Sequence, residues 1–231
     1  AGVAFRAASD RLVAHNRVHK TPRYRIQADS FYVTAPPAGS GAPGSGLLSR
    51  GNIFEFNVIS ETNRYTTDTG AIEMLGSGDP NVVQWWNNNT IRYNNISDTV
   101  GSSSSDGEDV CVHGVPAAGC RRLVWGIYLD GGEAGITIHG NIIGATLHGA
   151  VFDNAGGNNT QTNNIFVAGP DSPILMDFGS PGGGLRNVSG NIVKKNIFYW
   201  HGQSPSSSRL MFGSQIGWTS AFLKPNGSDH N

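Results

Sequence analysis

The chain has 231 residues, of which 14% are charged and 32 are glycine, with a formal net charge of -1. This charge balance excludes the basic surface that nucleic-acid binding requires, and no apolar run approaches the ~20 residues of a membrane-spanning helix. The length is sufficient for one domain with a continuous core. Short apolar triplets separated by Gly, Asn, Ser and Thr are typical of an all-β, turn-rich protein.

Short alternating segments bounded by Asn, Asp and Gly recur from the start of the chain. The first occupies residues 2–18, and later ones occupy residues 51–59, 70–75 and 89–96. Alternation of apolar and polar residues over such short runs predicts strands, and no segment sustains a helical period. We therefore expect one all-β domain over residues 1–231, with both ends cut from a longer protein.

Two segments interrupt the repeating pattern, and we predict that they are loop insertions. Residues 35–46 are rich in Pro, Gly and Ser, and residues 101–121 carry acids and both cysteines. Cys111 and Cys120 are either a disulfide, which implies an oxidising compartment, or two thiols. The acids of the second insertion are Asp106, Glu108 and Asp109. They predict a solvated loop, and a calcium site is the alternative interpretation.

Residues 125–166 match themselves after a shift of about 23 residues, which is the signature of a solenoid. Residues 126–130 (GIYLD) fall on residues 149–153 (GAVFD). This alignment gives Asp130 and Asp153 the same position in consecutive coils. It predicts that their backbones lie one strand spacing (~4.8 Å) apart.

Asparagine recurs before Ile or Val near the ends of the repeating units. Asn tolerates a left-handed φ and can bond to its own backbone, so it suits a tight bend between strands. Stacked Asn side chains can also bond from coil to coil. The sequence therefore predicts a parallel β-solenoid of roughly seven or eight coils, with bends at Asn57, Asn95, Asn141, Asn164, Asn191 and Asn196.

Several motifs, taken in order, resemble a known family. These are HKTPRYRI, SETNRYTTDTGAIEM, NTIRYNNISD, GIYLDGGEAG and GAVFDNAGGNNTQTNNIF, between residues 12 and 168. The sequence resembles the right-handed parallel β-helix carbohydrate-active enzymes, most closely glycoside hydrolase family 141, with family 120 as a related comparison. The resemblance implies a right-handed parallel β-helix that cleaves glycosidic bonds with two carboxylates on the solenoid face.

The resemblance implies Asp68 and Asp130 as the catalytic pair, whereas a comparison of adjacent coils points to Asp130 with Asp153. Glycosidases separate their two carboxyl groups by about 5–5.5 Å or by ~6.5–9.5 Å, according to the stereochemical outcome. Of the other acids nearby, Glu133 is expected in a solvated loop. Asp177 is expected to cap a turn.

Five further residues are candidates for binding the substrate. Glu73 is a reserve acid, and the odd spacing between it and Asp68 predicts opposite faces of a strand. His19 and His148 can hydrogen-bond a sugar hydroxyl, while Tyr128 and Trp86 offer rings that stack on sugars. No spacing of His, Cys and Asp predicts a zinc site, and no cofactor is expected.

The leading hypothesis is a secreted or periplasmic glycoside hydrolase whose partner is a plant or algal polysaccharide. A β-helix polysaccharide lyase is the second hypothesis, although it needs a neutral or cationic base and charge neutralisation. Lys and Arg are sparse on the motif segments, which weighs against a lyase. The third hypothesis is a non-catalytic solenoid that binds glycans or serves as an adhesin segment.

Overall fold

The computed structural model describes part of the chain, and that part is all β. No helix occurs in it, and therefore none that is long and apolar enough to cross a membrane. Both cysteines, the acids of the second insertion and most of the first insertion lie outside the described residues. The described residues are 2–22, 26–32, 46–47, 49–64, 66, 68–76, 85–99, 124–154, 156–168, 174–178, 189–200, 210–213 and 223–229.

Most of the strands form three parallel sheets. Sheet 1 contains β1 (Val3–Arg6), β4 (Ile26–Asp29), β9 (Thr69–Leu75), β13 (Val124–Asp130), β17 (Gly149–Asp153), β20 (Ile174–Phe178) and β23 (Leu210–Gly213). Sheet 2 contains β2 (Leu12–Ala14), β7 (Ile53–Glu55), β11 (Thr90–Arg92), β15 (Thr137–His139), β18 (Thr160–Thr162), β21 (Asn191–Lys194) and β24 (Leu223–Asp229). Sheet 3 contains β3 (Arg17–His19), β8 (Val58–Thr62), β12 (Asn95–Thr99), β16 (Ile142–Thr146), β19 (Ile165–Ala168) and β22 (Ile197–Trp200).

Along the chain these strands visit sheet 1, sheet 2 and sheet 3 in a fixed rotation. Four short strands lie between them: β5 (Phe31–Tyr32) pairs antiparallel with β6 (Gly46–Leu47), and β10 (Trp85–Trp86) pairs parallel with β14 (Glu133–Ala134). The prediction of an all-β protein with parallel strands is confirmed, and the architecture is compatible with a β-helix or solenoid.

The main core lies between the three sheets. Within one turn of the chain, Ile72 of sheet 1, Ile91 of sheet 2 and Ile96 of sheet 3 all belong to the same fully buried cluster. In sheets 2 and 3 polar neighbours alternate with these residues along the strand, as the sequence pattern predicts, whereas in β9 six of the seven residues are buried. This burial is the principal favourable term in folding, at about 25 cal/mol per Å² of apolar surface.

The bend between sheet 2 and sheet 3 is built from one asparagine for each passage of the chain through the three sheets, here called a coil. The backbone N–H and Nδ2 of each of these residues donate to Oδ1 of the next, at 2.9–3.1 Å, through six coils. The predicted Asn ladder is therefore confirmed, although two of its members were wrong: Asn94 takes the place of Asn95, and Asn191 lies at another bend. The ladder is Asn16, Asn57, Asn94, Asn141, Asn164 and Asn196.

The left-handed residue at this bend precedes the ladder asparagine, contrary to the sequence expectation. Its φ lies between +53° and +65° in each coil, even where the residue is aromatic or Lys. Phe56 stacks on His15 and Tyr93 at 5.1 and 5.2 Å, which offsets part of the strain of a left-handed non-glycine residue. The left-handed residues are His15, Phe56, Tyr93, Gly140, Asn163 and Lys195.

The 23-residue period holds between β15 and β18 of sheet 2 and between β16 and β19 of sheet 3, but not between β13 and β17 of sheet 1. Thr137 pairs with Thr160 and Ile142 with Ile165, as the self-match predicts. In sheet 1, however, Leu129 pairs with Asp153, so paired residues there are one residue further apart in the sequence. The expectation that Asp130 lies opposite Asp153 is therefore wrong. A slip of one residue reverses the face on which a strand presents its side chains.

The ladder predicts a large loss of stability for Asn94→Ala. The substitution leaves the backbone N–H and the side-chain amide of Asn57 without their acceptor, and Phe54 and Asn141 each lose a donor. Because a buried donor without an acceptor costs about 1–3 kcal/mol, we expect a loss of roughly 3 kcal/mol in urea unfolding. The control Asn95→Ala, at an exposed position next to it, should change stability by less than about 0.5 kcal/mol. Equal losses in the two variants would contradict the ladder.

Candidate active site

The candidate site lies on the outer side of sheet 1, at the end of β13. Asp130 is half-buried there and ends the strand before the Gly131-Gly132 turn. Nδ2 of Asn154 donates to its Oδ1 at 2.6 Å. Asn154 reaches this place because Asp153 pairs with Leu129, so the residue after Asp153 lies beside Asp130.

The hydroxyl of Tyr128 links Asp130 to Asp68. It donates to Oδ1 of Asp68 at 3.2 Å and accepts from Nδ2 of Asn154 at 3.3 Å. Nδ2 of Asn154 also donates to Asp130 at 2.6 Å, so three consecutive hydrogen bonds connect Oδ1 of Asp68 to Oδ1 of Asp130. The two Oδ1 atoms therefore lie closer than the ~9.5 Å upper limit for carboxylate pairs in glycosidases. The structure thus brings together two carboxylates that lie far apart in sequence.

Asp68 occupies the bend that precedes β9. Its φ is +53°, a conformation that Asp adopts more readily than most residues. The sequence expectation that Asp68 and Glu73 face opposite sides assumed one continuous strand, but Asp68 lies outside the strand, so the alternation rule does not apply to it. The charges of both Asp68 and Glu73 act on Tyr128.

Burial raises the pKa of Asp130 to about 6. The negative charge of Asp68 contributes to this rise, whereas hydrogen bonds from Asn154, from the backbone of Gly131 and from Tyr128 oppose it. Below about pH 6 the Asp130 carboxyl group therefore holds a proton. A carboxyl group that is protonated near neutral pH can act as a general acid.

Tyr128 is held as a neutral donor. Burial, and then the charges of Asp130 and Asp68, raise the pKa of its hydroxyl above the ordinary range for tyrosine. Its ring stacks on Phe152 at 5.0 Å and tilts against Trp125 at 4.9 Å, in an apolar cluster separate from the main core. With 3% of its surface exposed, Tyr128 offers no open ring face to a sugar.

His148 and Glu73 support this cluster from within the protein. The ring of His148 packs edge-on against Trp125 at 5.0 Å and is mostly buried. Oε2 of Glu73 accepts from the Thr69 hydroxyl at 2.9 Å and from the backbone N–H of Gly70 at 3.2 Å. These contacts hold the start of β9, where Asp68 is attached.

Asp153 lies inside the protein, in contrast to its predicted position on the solenoid face. It is fully buried, and its partner in the sheet, Leu129, belongs to the core. Asn159 donates to its Oδ2 at 2.8 Å. Burial raises the pKa of Asp153 to about 7, although the bonds from Asn159 and the backbone of Gly156 oppose the shift.

Glu133 is also buried, so the expectation of a solvated loop is wrong. It lies in the short strand β14, where Nδ2 of Asn87 donates to its Oε2 at 2.6 Å. Burial raises its pKa to about 8; the bond from Asn87 opposes this, and the charges of Asp130, Asp29 and Asp153 add to it. The Gly-Gly turn before Glu133 predicts a loop from the sequence. The burial of Glu133 becomes evident only from the pairing of β14 with β10.

Two candidates do not join the Asp130 group. His19 is exposed on β3 of sheet 3, opposite Ser60. Trp86 lies in β10 opposite Ala134, and its side chain is outside the described part of the protein. In the part that is described, no group of three or more His, Cys, Asp or Glu residues is arranged to hold a metal ion.

Comparison with known proteins gave no match: no family model fits the chain, and no curated protein or solved structure is significantly similar to it.

The two buried acids predict that stability falls as the pH rises. Unfolded Asp and Glu lose their protons near pH 4, whereas folded Asp153 and Glu133 keep theirs to about pH 7 and 8, so the folded state binds more protons in between. Each acid therefore contributes a slope of up to about 1.4 kcal/mol per pH unit. We expect Asp153→Asn and Glu133→Gln each to flatten the decline in unfolding free energy between pH 5 and 7.

Asp98→Asn, at an exposed position of β12 in sheet 3, controls for the removal of one negative charge. An unchanged slope in both buried-acid variants would mean that neither acid keeps its proton in the folded protein.

Proposed function

We propose that the three sheets are the faces of one right-handed parallel β-helix, a single-stranded solenoid with coils of about 23 residues. The fixed rotation of the chain through the sheets supports this architecture. The unbroken ladder from Asn16 to Asn196 supports it as well, because consecutive coils must stack in register to form it.

We propose that the protein is a glycoside hydrolase whose catalytic residues are Asp130 and Asp68. One observation carries the proposal: the Asp130 carboxyl, with a pKa of about 6, is linked through Asn154 and Tyr128 to a second carboxylate. Glycoside hydrolysis needs one protonated and one ionised carboxyl group on either side of the scissile bond.

In this proposal Asp130 gives its proton to the glycosidic oxygen as the bond from that oxygen to the anomeric carbon breaks. Asp68 either attacks the anomeric carbon, forming an ester that water later hydrolyses, or takes a proton from the water that attacks. In both routes the hydroxyl of water ends on the anomeric carbon. The hydrogen bond from Tyr128 supports the ionised form of Asp68.

The substrate is proposed to be a plant or algal polysaccharide, and the protein is proposed to be secreted or periplasmic. Support for both comes from the resemblance of the GIYLD and DTGA motifs to β-helix glycosidases. A lyase is less well supported, because carboxyl groups predominate around Asp130. Among the described residues of sheet 1, Arg6 is the cationic side chain, and it bonds to Asp29 at 3.2 Å.

The proposal predicts loss of hydrolysis in Asp130→Asn and in Asp68→Asn. The chain and both variants would be screened on a polysaccharide panel, with new reducing ends and the absorbance of unsaturated uronates followed together. Reducing ends without absorbance are expected, and each variant should fall by about 10²–10⁴-fold. Activity of the unsubstituted protein should decline as the pH rises through about 6, because Asp130 then loses its proton.

The control Asp98→Asn, at an exposed position of β12 in sheet 3, should retain full activity. Uronate absorbance would replace the hydrolase with a lyase. Binding to a glycan without either signal would identify a non-catalytic binding solenoid.

A further inference from the structure

We propose that Asn154 is a positioning residue whose side-chain amide holds the Asp130 carboxyl group directly and is connected to Asp68 through the Tyr128 hydroxyl. The inference rests on the proposed function, since these two carboxyl groups are the proposed catalytic pair. Asn154 itself makes no bond in the reaction.

The backbone of Asn154 fixes the turn that follows Asp130. Its N–H donates to the carbonyl of Leu129 at 2.7 Å, and its carbonyl accepts from the N–H of Gly132 at 3.2 Å. Gly131 and Gly132 have φ values of +68° and +90°, which suit glycine and sharply reverse the chain. These backbone bonds do not depend on the side chain at position 154, so a substitution there can test the side chain alone.

The side-chain amide of Asn154 has two hydrogens and makes two described bonds. One goes to Oδ1 of Asp130 at 2.6 Å and the other to the hydroxyl oxygen of Tyr128 at 3.3 Å. A hydroxyl that accepts from an amide directs its own proton elsewhere, and Tyr128 donates to Oδ1 of Asp68. The amide therefore contacts one carboxyl group directly and is connected to the other through Tyr128.

These contacts fix the places of both carboxyl groups. Tyr128 has one proton and lies within reach of both acids, so its hydroxyl is a shared neighbour of the pair. The amide of Asn154 favours the ionised form of Asp130 and opposes part of the rise in its pKa that burial causes. Without the amide, Asp130 loses a donor, and the Tyr128 hydroxyl loses the bond that holds it between the two acids.

The test is Asn154→Leu, which keeps the size of the side chain and removes both donors. Asn154→Ala is the second variant, in case Leu does not fit this half-buried position. Titration of the Asp130 carboxyl is followed by carbon-13 NMR, assigned with Asp130→Asn, and kcat and KM are measured on the best substrate. The control is Asn95→Leu, the same substitution on exposed β12 of sheet 3.

Loss of the amide should raise the Asp130 midpoint by about one pH unit, because a hydrogen bond to a charged group favours the ionised form. We expect kcat to fall by about 10–100-fold with KM within about 3-fold of its original value. A fall in kcat with the Asp130 midpoint unchanged would overturn the proposal, and so would no change in either. If no substrate is cleaved, the proposed function fails, while the NMR titration still decides whether Asn154 holds Asp130.

Discussion

The constraint on which the rest of this structure depends is the pair of bends that border each strand of sheet 2. At the bend after the strand, a left-handed residue precedes an asparagine. The N–H of this asparagine donates to the asparagine of the next coil, and its Oδ1 accepts from the asparagine of the preceding coil. At the bend before the strand, Oδ1 of an asparagine likewise accepts a backbone N–H from the preceding coil, although Ile136 stands in place of an asparagine in one coil; these residues are Asn52, Asn89, Asn159 and Asn191. Because both bends recur at fixed positions, the first five strands of sheet 2 have three residues each, and the chain enters sheet 3 in the same register each time.

Sheet 1 is not bordered by an unbroken ladder on both sides. Its strands can therefore pair in a register that differs from the register of sheets 2 and 3. The extra residue between Leu129 and Asp153 turns Asp153 into the core and places Asn154 beside Asp130. The candidate site therefore occurs where the repeat departs from its period. A strictly periodic sheet would have placed two aspartates side by side with no amide between them.

The repeating part of this arrangement could be predicted from the sequence, and the site could be predicted only in part. Alternation and the recurrent Asn predicted parallel strands and the ladder, because both signals are local. The pairing of Asp68 with Asp130 came from motif resemblance, and the structure places the two acids near each other. Asn154, buried Glu133 and inward Asp153 could not be predicted, because each depends on a one-residue register shift or on the pairing of two short distant strands. A five-residue spacing between the Asn of successive bends, as in Asn52 and Asn57 or Asn159 and Asn164, would have distinguished Asn94 from Asn95.

The central claim is that Asp68 and Asp130 act as one catalytic pair, and comparing the two single variants with the double variant tests it most directly. Rates of hydrolysis would be measured for Asp68→Asn, Asp130→Asn and the protein that carries both substitutions, each checked for native unfolding behaviour. Residues that act as a unit lose most of the activity when either is removed, so the double variant should be about as slow as the slower single variant. Losses that multiply in the double variant, or a single variant with full activity, would contradict the account.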